Sequence, residues 1–140
     1  MEMLALERTL TELDHVRLTN LVHRYKNVSP ASSVTLPIEQ VLDVADVVPS
    51  RQLPPDIVTM RSRVLMKDLK TGVNSRRTLC FPGDADTDSS SVSVLSPVGG
   101  SLLGQRVGAT VRWPTPSGGK RTAVILEILF QPESSGNYAM

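Results

Sequence analysis

The stretch Ser93-Val94-Leu95-Ser96-Pro97-Val98-Gly99-Gly100-Ser101-Leu102-Leu103-Gly104-Gln105-Arg106-Val107-Gly108 decides the fold. Val92 to Leu95 reads as a short strand, and Ser96-Pro97 turns the chain out of it. Proline fixes φ and lacks a backbone donor, so it suits a turn that feeds a helix. Val98 to Leu103 has room for one or two helical turns, closed by Gly104. A proline-fixed loop backed by a helix presents its groups with little ordering entropy. That arrangement suits a protein-docking site, but a plain strand-to-helix turn with two core leucines explains it more simply.

Working outward, hydrophobicity alternates with a period of two. Val107 to Trp113, the turn Pro114-Thr115-Pro116-Ser117-Gly118-Gly119 and Arg121 to Phe130 predict a hairpin. Upstream, Val58, Met60 and Ser62 alternate with Thr59, Arg61 and Arg63, and Val64-Leu65-Met66 continues that strand. Thr71-Gly72 predicts a turn, followed by a strand through Arg77 to Phe81 and a loop from Pro82 to Asp88. These pieces predict a small antiparallel sheet with one short helix over residues 51–140.

Residues 1–50 carry a helical period instead. Leu13, Leu18, Leu21, Val22 and Tyr25 lie on one helix face, with Thr11 as N-cap three residues before Asp14. Met3 to Arg8 fits either an extension of that helix or a short strand. A second helix of about 12 residues starts at Pro37, carries Ile38, Val41, Leu42, Ala45 and Val48, and stops at Pro49. Together they predict a short antiparallel helical hairpin, giving an α+β chain. Ser50-Arg51-Gln52-Leu53-Pro54-Pro55 reads as the linker.

Of the 140 residues, 40% are hydrophobic, which is ordinary globular composition and excludes wholesale disorder. No apolar run exceeds four residues, as at Met3 to Leu6 and Ala123 to Leu126, far short of the roughly 20 residues of a membrane span. No signal peptide is evident, and the lone Cys80 has no internal disulfide partner, so a soluble, cytoplasmic protein is expected. Residues 1–50 hold 4 basic and 7 acidic groups and residues 51–140 hold 11 and 7, a split of −3 and +4. A chain with a total charge of only +1 is a poor fit to strong direct nucleic-acid binding.

Known chemistries fit poorly. Gly99 to Gly104 has G-x-x-x-x-G spacing, but Gln105-Arg106 replaces the Lys and hydroxyl of a phosphate loop. His15 and His23 read as solvent-facing helix residues, and no Cys or His pair has chelating spacing, so no metal or cofactor is expected. Asp84, Asp86 and Asp88 alternate as in a calcium loop but lack its glycine and closing glutamate. Cys80 between Leu79 and Phe81 reads as a core thiol, and no serine has a histidine nearby in sequence. The chain is expected not to be an enzyme.

The run S-P-V-G-x-x-L-L-G-x-x-x-G from Ser96 to Gly108 resembles the C-terminal domain of the GreA/GreB transcription elongation factors. Asp56-Ile57-Val58-Thr59-Met60-Arg61-Ser62-Arg63-Val64 and Phe130-Gln131-Pro132-Glu133-Ser134-Ser135-Gly136-Asn137-Tyr138 extend the resemblance over roughly residues 54–138. The resemblance implies an FKBP-like domain that docks on RNA polymerase, at the coiled coil on the secondary-channel rim. It assigns that docking to an Asp-Ser-Pro loop, whose positions here are Leu95, Ser96 and Pro97, so leucine stands where the family has aspartate. It also implies a long helical hairpin whose acidic tip helps hold a catalytic magnesium for transcript cleavage. Here the hairpin is short, and its tip from Asn27 to Leu36 has no Asp or Glu. Magnesium coordination calls on carboxylates, so the expected activity is regulation of polymerase in competition with Gre factors, without stimulated cleavage. The alternatives are an elongation factor that rescues arrested complexes and a prolyl isomerase. The isomerase fits worse, because its aromatic-lined pocket would have to come from 1 Trp, 2 Tyr and 2 Phe.

Overall fold

A computed structural model describes residues 8–28, 37–82, 90–115 and 117–136. The elements in chain order are β1 (Thr9–Thr11), α1 (Glu12–Val28), α2 (Pro37–Val44), β2 (Asp46–Val48), β3 (Arg63–Asp68), β4 (Asn74–Cys80), β5 (Ser91–Ser93), α3 (Pro97–Leu102), β6 (Thr110–Pro114) and β7 (Lys120–Phe130). One sheet has the order β5-β4-β3-β7-β6, and β1 pairs with β2 in a second. The chain is α+β, as its two hydrophobic periods predict.

Local chemistry explains most boundaries. The Thr11 hydroxyl accepts the Asp14 backbone N–H at 3.0 Å, so the N-cap read from the sequence starts α1. Gly72, at φ +76, supplies the left-handed residue of the turn between β3 and β4. At the other hairpin, Trp113 faces Arg121 and Pro114 faces Lys120 across the turn.

Three expectations change. First, α2 ends at Val44 rather than Val48, because Asp46 to Val48 runs parallel to Thr9–Thr11. The Asp46 N–H donates to the Arg8 carbonyl at 2.9 Å, so sheet pairing replaces the last helical turn. Second, Val58 to Ser62 is not a strand. Val58, Thr59, Met60 and Ser62 are all buried, and Arg61 takes φ +68 in a turn closed by Ser62 N–H to the Thr59 carbonyl. Alternation fails as a guide where both sides of a segment are covered. Third, the sheet is mixed, since β5 runs parallel to β4. Residues 81–90 separate those strands, well beyond the roughly two to five residues of a hairpin loop.

One apolar cluster spans the described chain. Leu10, Leu18, Val22, Ile38 and Val41 join Met60, Val64, Met66, Leu102, Leu103 and Ile125 within it. Buried polar contacts cross the same ground. Asp14, only 2% exposed, accepts the Met60 N–H through Oδ2 at 3.1 Å. The Thr59 hydroxyl donates to Glu133 Oε1 at 2.8 Å, and Gln131 Nε2 donates to the Ile57 carbonyl at 2.6 Å. The two outlying segments of family resemblance therefore hold each other.

Burial pushes the Asp14 carboxyl up to about 6, with nearby Glu133 adding to the shift. The Met60 N–H, Arg17 and Arg61 pull the other way. The native state thus holds a proton between the ordinary 3.8 and about 6 that the unfolded chain has released. Stability must fall as pH rises through that window. Asp14→Asn keeps an oxygen for the Met60 N–H and removes the ionisation. In urea unfolding it should gain on the order of 2 kcal/mol at neutral pH, and the gain should vanish below about pH 4.

Candidate functional site

The strand-to-helix junction of residues 93–104 is built from its own backbone. Ser96 is the N-cap of α3: its Oγ accepts the Gly99 N–H at 3.1 Å and donates to the Ser93 carbonyl at 2.6 Å. Pro97 occupies the first helical position, where no intrahelical donor is needed. The Ser93 hydroxyl accepts the Leu95 N–H at 3.1 Å, which closes the turn. Gly99 lies against the preceding strand, and a Cβ there would come within 2.0 Å of the Ser93 carbonyl oxygen. Ser93, Ser96, Pro97 and Gly99 are therefore each set by sterics, by a turn or by a cap.

The far end of α3 is held as tightly. Gly104 sits at φ +78, and a Cβ on it would come within 3.1 Å of the Thr9 backbone. The Thr9 N–H donates to the Gly104 carbonyl at 3.1 Å. Arg8 Nη1 donates to the Gly100 and Leu103 carbonyls at 3.0 and 2.8 Å, capping the helix C-terminus with a cation. Burial lowers the pKa of this guanidinium to about 10, and it stays protonated at neutral pH.

The three expected docking residues differ in position. Pro97 is exposed, Ser96 is half-buried with its hydroxyl engaged in the cap, and Leu95 is half-buried against the apolar cluster. Leu95 at the first of these positions is turned toward the chain's own core.

Immediately after Pro97, Val98 lines a cleft of about 90 Å³ with Met66, Trp113, Ala123, Arg77 and Arg121. Arg121 donates to Asp68 Oδ2 from Nη2 at 2.6 Å and from Nε at 3.1 Å. This pairing, helped by the Thr71 and Lys70 N–H groups, holds the Asp68 carboxyl down at about 2. The ion pair fixes one guanidinium beside an apolar floor, an arrangement suited to a protein surface with an apolar anchor. Trp113 and Arg121 face each other in register, a pairing legible in the hairpin although residue type alone did not single it out.

Among the described residues no three His, Cys, Asp or Glu side chains cluster as metal ligands, and no helix is long and apolar enough to cross a membrane. His23 is exposed as expected, but His15 is half-buried, with Nε2 at 3.0 Å from the Leu42 carbonyl. Cys80 is buried, with Sγ 3.6 Å from the Thr78 carbonyl. The tip residues 29–36 and the aspartates of 84–88 lie outside the described residues.

Residues 53–130 match the profile described as "Transcription elongation factor, GreA/GreB, C-term". The chain is similar to the regulator of nucleoside diphosphate kinase of Escherichia coli, at 38% identity over 71% of this chain and 73% of that protein. It is also 38% identical to GreA of Thermotoga maritima, over 63% of this chain and 56% of that one. Among solved structures, the GreA/GreB factor from Nitrosomonas europaea superposes with a TM-score of 0.69 at 31% identity, covering 89% of this chain and 98% of that one.

Gly99→Ala must move the Ser93 backbone and should lose roughly 3 kcal/mol in urea unfolding. Ser96→Ala removes only the cap and should lose about 1 kcal/mol. Equal losses would contradict the close approach at Gly99.

Proposed function

Because the chain belongs to the GreA/GreB transcription elongation factor family, we propose that it is a non-enzymatic regulator that binds RNA polymerase. Docking is at the rim of the secondary channel, on the face that carries Leu95, Ser96 and Pro97. The observation that carries this reading is the junction itself. Pro97 stands exposed on a helix pinned at both ends, beside the cleft of Val98 and Trp113. Such a surface loses little entropy on binding. Leu95 makes the loop less polar than the family pattern, so apolar contact around Pro97, Val98 and Trp113 replaces the missing carboxylate.

The absence of Asp and Glu from Asn27 to Leu36 supports the second half of the proposal. Without carboxylates at its tip the helical hairpin supplies no ligand for a catalytic magnesium. The chain occupies the shared docking surface and competes with Gre factors while leaving transcript cleavage unstimulated.

Two measurements test this. In a pull-down with polymerase, Pro97→Ala combined with Trp113→Ala should weaken retention by roughly tenfold or more in a protein with an unchanged circular-dichroism spectrum. Undiminished retention sinks the docking assignment. On backtracked elongation complexes the chain should not accelerate cleavage by itself and should slow cleavage stimulated by added GreA. Acceleration would show that a carboxylate-free tip suffices.

A further inference from the structure

The face of the five-stranded sheet opposite α3 is covered by nothing among the described residues. Register places Arg63 and Lys67 of β3, Arg76 of β4, Arg112 of β6 and Lys120 of β7 on this face, with Glu127 its one carboxylate among the described residues. All six are exposed. Five cations against one carboxylate are therefore gathered on one surface of a chain whose net charge is only +1.

The same face is also apolar, and two β-bulges make it so. Pairing slips between Arg63 and Val64 and again between Leu65 and Met66, each time setting two residues of β7 against one of β3. The extra residues are Leu129 and Leu126, which are 39% and 40% exposed, and Phe130 beside them is 37% exposed. Leu65 and Val124 lie between the cations of neighbouring strands.

We infer that this outer sheet face is a docking surface for an acidic, amphipathic protein segment. Neighbouring cations, Arg63 and Lys67 with Arg76 and Arg112 with Lys120, are diagonal across adjacent strands, roughly 7–8 Å apart. A helix with long, flexible glutamates along one face and leucines between them would meet the cations with carboxylates and cover the exposed leucines. Nucleic acid fits less well. Single-strand binding relies on several aromatic platforms, and Phe130 is the one aromatic side chain on this face among the described residues. The exposed leucines give phosphates no purchase. Because α3 and its cleft lie on the other side of the sheet, the inference is independent of polymerase docking, and both faces can be occupied together.

Fluorescence anisotropy with the full chain tests it. The probes are a labelled helical peptide of Leu and Glu, the same peptide with Lys for Glu, and a single-stranded RNA of matched length. Binding of the Leu/Glu peptide is expected, weakened by salt and by roughly tenfold in Lys67→Glu/Arg112→Glu. Leu126→Ser should weaken it without changing its salt dependence. All three positions are exposed, so an unchanged circular-dichroism spectrum is expected. Equal binding of the Lys peptide, tighter binding of RNA, indifference to charge reversal or no binding of the Leu/Glu peptide would each overturn the proposal.

Discussion

The architecture depends on how closely α3 approaches the strand before it and the strand that opens the described chain. At one end Gly99 lies on the Ser93 carbonyl; at the other, Gly104 lies on the Thr9 backbone. No side chain fits at either point without moving main chain. The helix has only six residues, far too few to persist on its own propensity. It exists because Ser96 caps its N-terminus, Arg8 caps its C-terminus, and Leu102 and Leu103 are fully buried beneath it. The helix is thus tied at both ends, with Pro97 exposed at its first turn.

A second constraint binds the helical segment and the tail to the sheet. Asp14, Thr59, Ser62 and Glu133 form a buried polar cluster around the left-handed turn at Arg61. Burying two carboxylates near one another is unfavourable, and the raised Asp14 pKa records that cost. What the cluster supplies is geometry: the Met60 N–H would be buried without a partner if α1 shifted along the sheet. The helical segment is therefore set in a defined position relative to α3, through Asp14 at one point and Arg8 at another.

The sheet works as a partition between two unlike surfaces. On the α3 side, a bridged Arg121, Trp113 and Val98 form a small cleft beside Pro97. On the other side, slipped pairing brings leucines out among cations. The bulges are the physical link, since each adds one residue to β7 without adding one to β3 and so breaks the strict alternation of faces. The fold thus presents two chemically unlike faces, one on each side of the sheet.

The local rules were legible in residue order. The Thr11 cap, the Thr71-Gly72 turn, the Pro114 to Gly119 hairpin and the Ser96-Pro97 entry to α3 all follow from dihedral preferences and capping within four or five residues. The Ser-Pro run also carried the family resemblance, and with it the position proposed for the docking loop. What the order of residues left undetermined was everything decided by a distant neighbour. Asp46 to Val48 joins a strand because β1 offers it hydrogen bonds, and β5 runs parallel because a long connection precedes it. Val58 to Ser62 is covered on both sides and so has no alternation to read. Leu95 belongs to the core and Arg121 to the cleft for the same reason: contacts between residues tens of positions apart exist only once the chain has closed on itself.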